Sequence, residues 1–169
     1  ASGIQIMSAL TGCLNGCKAT NLIDTQDRRN AYGIMADMMN GFINSSFTDT
    51  DLKFPVMTFF YGSKAQPKEA FGDNTPELST FYKTLQSLFK GAYRAMEIMQ
   101  SLWNPNAYAY RWILPDGHTA KFNVMVPVDK KIEIDELNHA TFTHRAYVNQ
   151  PTDYGLSLAA NIVHSIDGF

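Results

Sequence analysis

Over roughly the first hundred residues the apolar positions recur at helical spacing, and beyond them the period falls to two. Ala31, Ile34, Met35, Met38 and Phe42 form one helical series. With Asp24 and Asp27 placed ahead of it as N-terminal acids, the series predicts a helix from about Thr25 to Ile43. A second helical stretch is predicted from about Leu52 to Lys64. Pro55 has no amide hydrogen and crowds the preceding turn, which pushes the regular part toward the C-terminal half. The clearest helix opens at Thr75 as N-cap, with Pro76 in the first turn, and ends before Asn104-Pro105. Leu78, Phe81, Leu85, Leu88, Phe89, Ala92, Met96, Met99 and Trp103 make its apolar stripe.

From Ala107 onward Tyr108, Tyr110, Trp112 and Leu114 alternate, Pro115-Asp116-Gly117 turns, and Phe122, Val124 and Val126 alternate again, which predicts a hairpin. A second hairpin is predicted from the strands 131–135 and 141–148, joined by a short polar connection at Asn138-His139 and polar on one face. After Gln150-Pro151 the spacing of Leu156, Ala159, Ala160, Ile162 and Val163 turns helical once more, and that segment reads as unfinished at Asp167-Gly168-Phe169. No repeat or low-complexity tract interrupts the order. The expected fold class is α+β, mainly α, with helices first and hairpins after them.

Composition narrows the function classes. The chain's 169 residues, 45% of them hydrophobic, suffice for a domain with a core of its own. No apolar run is long enough for a membrane span and the first residues lack a signal peptide's basic start, so a cytoplasmic-type protein is expected. Cys13 and Cys17 are too few for a disulfide framework and have no neighbouring histidine for zinc, so both read as helix-packing thiols. Fourteen Lys plus Arg against sixteen Asp plus Glu give a net charge of -2. That balance argues against a protein that coats nucleic acid; any such binding must use local patches.

The segment Lys53-Phe54-Pro55-Val56-Met57-Thr58-Phe59-Phe60-Tyr61-Gly62-Ser63-Lys64 is the first candidate for chemistry. Eight residues take a helix about 80° past its starting direction, so Lys53, Met57, Phe60, Tyr61 and Lys64 are expected on one broad face. An ammonium suits the phosphates of a nucleoside triphosphate, and a phenol suits its sugar and base. Ordinary core packing is the competing account, and without context it is the better one. Lys83, Lys90 and Arg94 fall opposite the apolar stripe of their helix, as a solvated face or as a phosphate-contacting one. His164, taken alone, fits a structural histidine.

Context comes from five landmarks in order. The string from Lys53 through Val56-Met57-Thr58 to Tyr61-Gly62 resembles motif B of the single-subunit DNA-dependent RNA polymerases of bacteriophages and mitochondria. Ser2-Gly3-Ile4-Gln5 with Ser8-Ala9-Leu10 resembles the segment that follows the motif A aspartate of that family. Asn21-Leu22 with Tyr32-Gly33-Ile34, Trp112 with Leu114-Pro115-Asp116-Gly117, and Asn161-Ile162-Val163-His164-Ser165-Ile166-Asp167-Gly168 resemble further landmarks. They span essentially the whole chain, and their forms are those of RNA rather than DNA polymerases.

The resemblance implies a piece of a right-hand polymerase, with fingers-type helices followed by hairpins. Residues 1–46 would follow motif A, 47–104 would carry motif B, and 105–169 would hold the hairpins and the histidine-serine string. The implied activity is template-directed ribonucleotidyl transfer by a larger DNA-directed RNA polymerase, a nucleotidyltransferase, with the isolated chain inactive. Lys53 would meet the triphosphate as the catalytic cation. Tyr61, Gly62, His164, Gly3 and Tyr32 would bind the nucleotide, with Tyr61 and His164 selecting ribose. Lys131, His144 and Arg145 would meet DNA from the second hairpin, where Lys130 adds charge and Glu133, Asp135 and Glu136 oppose it. Magnesium would be held by aspartates outside this chain, with no metal ligand inside it. Template and promoter DNA, nascent RNA, ribonucleoside triphosphates and the rest of the polymerase would be the partners, in the cytoplasm of an infected bacterial host, with a virion or a mitochondrion as alternatives, and away from membranes.

Departures from the pattern are specific. Asp49 stands four residues before Lys53, where the family usually carries an arginine, Pro55 replaces a non-proline residue, and the connector between Ile43 and Lys53 is short, either because a family insertion near Asn44 to Phe47 is absent and Asp49 is not the arginine's equivalent or because the lineage is divergent. They leave open a second expectation, a non-catalytic polymerase-like module that binds nucleic acid or another subunit.

Overall fold

The computed structural model describes residues 2–153, 155 and 157–168. It is a mixed, mostly helical chain with two small antiparallel sheets, and it divides into two units, Ala1–Trp103 with Leu156–Phe169, and Asn104–Gly155. The second unit is an insertion in the sequence of the first. Among the described residues no helix is long and apolar enough to cross a membrane.

The helical unit comprises α1 (Ser2–Thr11), α2 (Leu14–Ala19), α3 (Ala31–Ile43), α4 (Asp49–Phe59), α5 (Ala65–Phe71), α6 (Pro76–Leu88), α7 (Lys90–Ser101) and α8 (Ser157–Asp167). Their apolar faces meet in one core, in which Met7, Met35, Met39, Leu52, Val56, Phe81, Leu85, Met96 and Val163 are fully buried. Side chains of this size are worth about 1.5–3 kcal/mol each when withdrawn from water, so the helices are held by this shared core rather than by local propensity. Leu156 and Phe169, included in the expected last helix, lie outside the described residues. Cys17 is buried, Cys13 sits at the start of α2, and neither is in a disulfide.

Three helix boundaries differ from expectation. α3 begins at Ala31 rather than near Thr25, because the Asn30 side chain caps it by accepting from the Tyr32 amide. The residues ahead of it form a loop pinned by Asn21, whose side chain accepts from the Arg29 amide at 2.7 Å and donates to the Arg29 carbonyl at 2.9 Å. α4 starts early and carries Pro55 inside it. Its start is fixed by a reciprocal cap between Thr48 and Asp51, which overrides the single bond lost at proline. The long helix predicted from Thr75 keeps its Thr75 cap on the Leu78 amide but breaks at Phe89 (φ -119°, ψ 43°) into α6 and α7.

The inserted unit holds β1 (Ala109–Ile113), β2 (Thr119–Asn123), β3 (Met125–Ile134), a 3-10 turn at Asp135–Leu137 and β4 (Ala140–Asn149). β1 pairs with β2 around the expected Pro-Asp-Gly turn, and β3 pairs with β4 in a longer hairpin. Val126 belongs to β3 and not to the first hairpin. In the β3–β4 register Asp129 faces Arg145, Lys131 faces Thr143 and Glu133 faces Thr141, which makes one face polar, as the alternation predicts.

Candidate functional site

The end of α4 fixes the position of Tyr61. The Gly62 amide donates to the Phe59 carbonyl at 2.9 Å and the Ser63 amide donates to the Thr58 carbonyl at 3.0 Å, with Gly62 at φ 98°. This is the Schellman closure, in which a left-handed residue just past the helix satisfies the last carbonyls. Gly62 therefore holds the turn, and Tyr61 and Lys64 lie beyond the regular helix instead of continuing the face of Lys53 and Met57. Phe60, expected on that face, is buried in the core.

Around this turn the structure gathers several residues the sequence singled out. The Tyr61 ring stacks on the His164 ring of α8, with centroids 4.8 Å apart and planes within 18°. Tyr32, near the start of α3, is close enough to feel Tyr61: burial first, and the neighbouring phenol second, push its hydroxyl above the ordinary tyrosine value. Gly3 of α1 packs on the residue before Tyr61; a Cβ there would lie 2.8 Å from the Phe60 Cβ and 3.0 Å from its carbonyl oxygen. Gln100 of α7 donates to the Gly62 carbonyl at 3.5 Å, a contact between residues 38 apart that no local pattern signals. His164 is exposed and Tyr61 half-buried, so the stacked pair presents an aromatic surface with a hydroxyl and an imidazole to solvent. Such a surface can stack on a base or sugar and donate or accept hydrogen bonds.

Lys53 is exposed on the first half of α4, ahead of the turn that carries Tyr61. Asp49, at the first position of α4, accepts a hydrogen bond from Asn30 Nδ2 at 2.9 Å, and its charge suits the positive end of the helix.

The expected DNA-contacting residues are not brought to one surface. Arg145 is tied to Asp129 across the strands, Nε to Oδ1 at 2.8 Å and Nη2 to Oδ2 at 3.3 Å, and this bond raises the affinity of the guanidinium for its proton. Lys131 shares that face, whereas His144 pairs in register with Lys130 on the opposite, more apolar one.

The expectation that metal would be held only by aspartates outside this chain is overturned. Glu133, Asp135 and His139 form a cluster that could hold a metal ion within the chain, their ligand atoms all within 4.8 Å of one another. The turn after β3 brings them together: His139 Nδ1 lies 2.8 Å from Glu133 Oε1 and 3.3 Å from Asp135 Oδ1. Carboxylate and imidazole donors on both sides of one turn are the signal in the sequence, where those acids also count as charges opposing DNA. All three residues are exposed.

A scan against protein-family models finds no match to this chain, and a search of the curated proteins finds none either.

Proposed function

We propose that this chain is the nucleotide-selecting part of a DNA-dependent RNA polymerase of the single-subunit type, inactive by itself and acting within a larger enzyme. The reading rests on the stack of Tyr61 on His164. Two residues far apart in sequence, each given a sugar-selecting role by a separate landmark, share one solvent-facing surface. Tyr32 lies beside Tyr61, and Gly3 is buried against Phe60 behind the turn that carries Tyr61, so two further landmarks fall in the same neighbourhood. A site that hydrogen-bonds a 2′-hydroxyl rejects the deoxy analogue because its own polar groups are then left unpaired. On this reading the chain works in the cytoplasm of an infected bacterial host, alongside template and promoter DNA and nascent RNA.

Tyr61→Phe in the polymerase that contains this chain tests the reading. It keeps the ring for stacking and removes the hydroxyl, so ribose-over-deoxyribose discrimination in single-nucleotide incorporation should fall by about fivefold, the worth of one net hydrogen bond of about 1 kcal/mol. Unchanged discrimination at normal activity would leave Tyr61 a packing residue and remove the basis for the assignment.

A second reading, a non-catalytic polymerase-like module that binds nucleic acid or another subunit, is favoured by Asp49. Asn30 donates to the Asp49 carboxylate, and on an alignment with no missing insertion that carboxylate falls where the family usually has an arginine. Lys53→Ala separates the two: a nucleotide-binding role predicts a higher KM for nucleoside triphosphates, a module role predicts no change.

A further inference from the structure

The tip of the β3–β4 hairpin carries side chains that strand pairing alone does not require. The ladder runs to Ile134 opposite Ala140, with Glu133 opposite Thr141. Asp135 opens the 3-10 turn beyond it, and Asn138 and His139 follow in the left-handed region, at φ 53° and 58°. That region is disfavoured for residues with side chains. The reversal brings the His139 ring back against the end of β3, with Nδ1 2.8 Å from Glu133 Oε1 and 3.3 Å from Asp135 Oδ1. Among the described residues these three are the one group of three or more histidine, cysteine or acidic side chains whose donor atoms converge within 4.8 Å.

We infer that this turn is a binding site for a first-row transition metal ion of the zinc class, which clips the end of β3 to the start of β4. Donor chemistry selects the ion. A lysine or arginine at position 139 would hold the acids as an ion pair, as Arg145 holds Asp129, but offers no lone pair to a metal. Imidazole does, and one ring nitrogen beside two carboxylates suits zinc, nickel or copper, whereas magnesium and calcium take oxygen donors. Size agrees. Donors about 2.05 Å from a zinc-sized ion stand about 2.9 Å apart at right angles and about 3.3 Å apart at the tetrahedral angle. The separations of 2.8 and 3.3 Å fall at those spacings. Calcium, with bonds of about 2.4 Å, spreads donors at right angles to about 3.4 Å. Both acids are exposed, which lets the edge between them adjust. Three protein donors leave a fourth tetrahedral position for water. Because the ligands flank the turn, the ion adds a link where a two-stranded hairpin is otherwise marginal. The site uses no part of the nucleotide-selecting reading.

The test is calorimetric titration of the full 169-residue chain, free of any histidine tag, with zinc, magnesium and calcium chlorides in separate arms. One zinc should bind per chain, more tightly than either other ion. Cobalt(II) in its place should show ligand-field bands without the ultraviolet thiolate band that binding at Cys13 or Cys17 would give. His139→Ala, Glu133→Gln and Asp135→Asn should each weaken zinc binding by at least the roughly tenfold that losing an outer partner of a metal costs. Glu133→Gln keeps the size of the side chain, so its loss of zinc is not a loss of the turn. His118→Ala, next to the turn of the other hairpin, should leave zinc binding unchanged. With zinc at about ten times its dissociation constant, amides of β3 and β4 that exchange through opening of the hairpin should slow about tenfold, and in His139→Ala they should not. Absence of one-to-one zinc binding, a preference for magnesium or calcium, a thiolate band, binding unchanged in His139→Ala and Glu133→Gln, or hairpin exchange indifferent to zinc would each overturn the site.

Discussion

Gly62 shows how far a residue's place in a motif can differ from its physical task. Its φ of 98° and the two bonds that close α4 require a left-handed residue immediately after Tyr61. A side chain there costs about 1–2 kcal/mol. Gly62→Ala should therefore lower the melting temperature of the chain, read by circular dichroism, and shift the Tyr61 ring off His164; an unchanged melting curve would mean the closure is not under that constraint. Gly3 is constrained differently, by proximity to Phe60, so Gly3→Ala should destabilise by about 1–3 kcal/mol through overpacking. The sequence marked both glycines through the strings around them. Neither reason, a positive φ or a neighbour from another helix, is written in residue type.

Among the elements, α4 is one whose start the sequence concealed, as it did that of α3. Pro55 drew the prediction toward the C-terminal half, while Thr48 and Asp51 settled the start through their reciprocal cap. Thr48→Ala should cost about 1 kcal/mol in chemical denaturation. The same cap gives a pH signature. Hydrogen bonds from the Thr48 amide, and then from its hydroxyl, hold the Asp51 carboxyl below its ordinary value of 3.8. A carboxylate whose folded pKa is depressed contributes stability that is fully present above its unfolded pKa and is lost as pH falls through the folded one. Below pH about 4 the wild type should thus lose stability that Asp51→Asn never had, and parallel acid titrations of the two would contradict the cap. The break at Phe89 was hidden for a related reason. Leu88 and Phe89 both fit an unbroken stripe, and only the backbone dihedrals separate α6 from α7.

At the scale of the whole molecule, the order of helices then hairpins was legible because the apolar period changes from helical to alternating near residue 107. The division into two units was not, since α8 rejoins the helices only after the hairpins have intervened. The candidate site was legible as a set of strings. Its assembly depends on α8 packing against α1 and α7, which carries His164 to Tyr61 and which no local pattern encodes. The units also differ in what holds them: a shared apolar core in one, two-stranded pairings with largely exposed side chains in the other. Isolated two-stranded hairpins are marginally stable, so amides of β3 and β4 should exchange with solvent deuterium far faster than those of α3, α6 and α7. Equal protection in both units would show that the hairpins are held by more than their own pairing.

The return of α8 after the inserted hairpins also bears on synthesis. Ala159 and Val163 complete a core whose other members lie before residue 104, so a growing chain must release more than fifty further residues before that core can close. During that interval the first seven helices expose the apolar groove that α8 later fills. Exposed surface of that kind is what chaperones bind and what drives misassembly, which makes the nascent chain most vulnerable while the hairpins are being made.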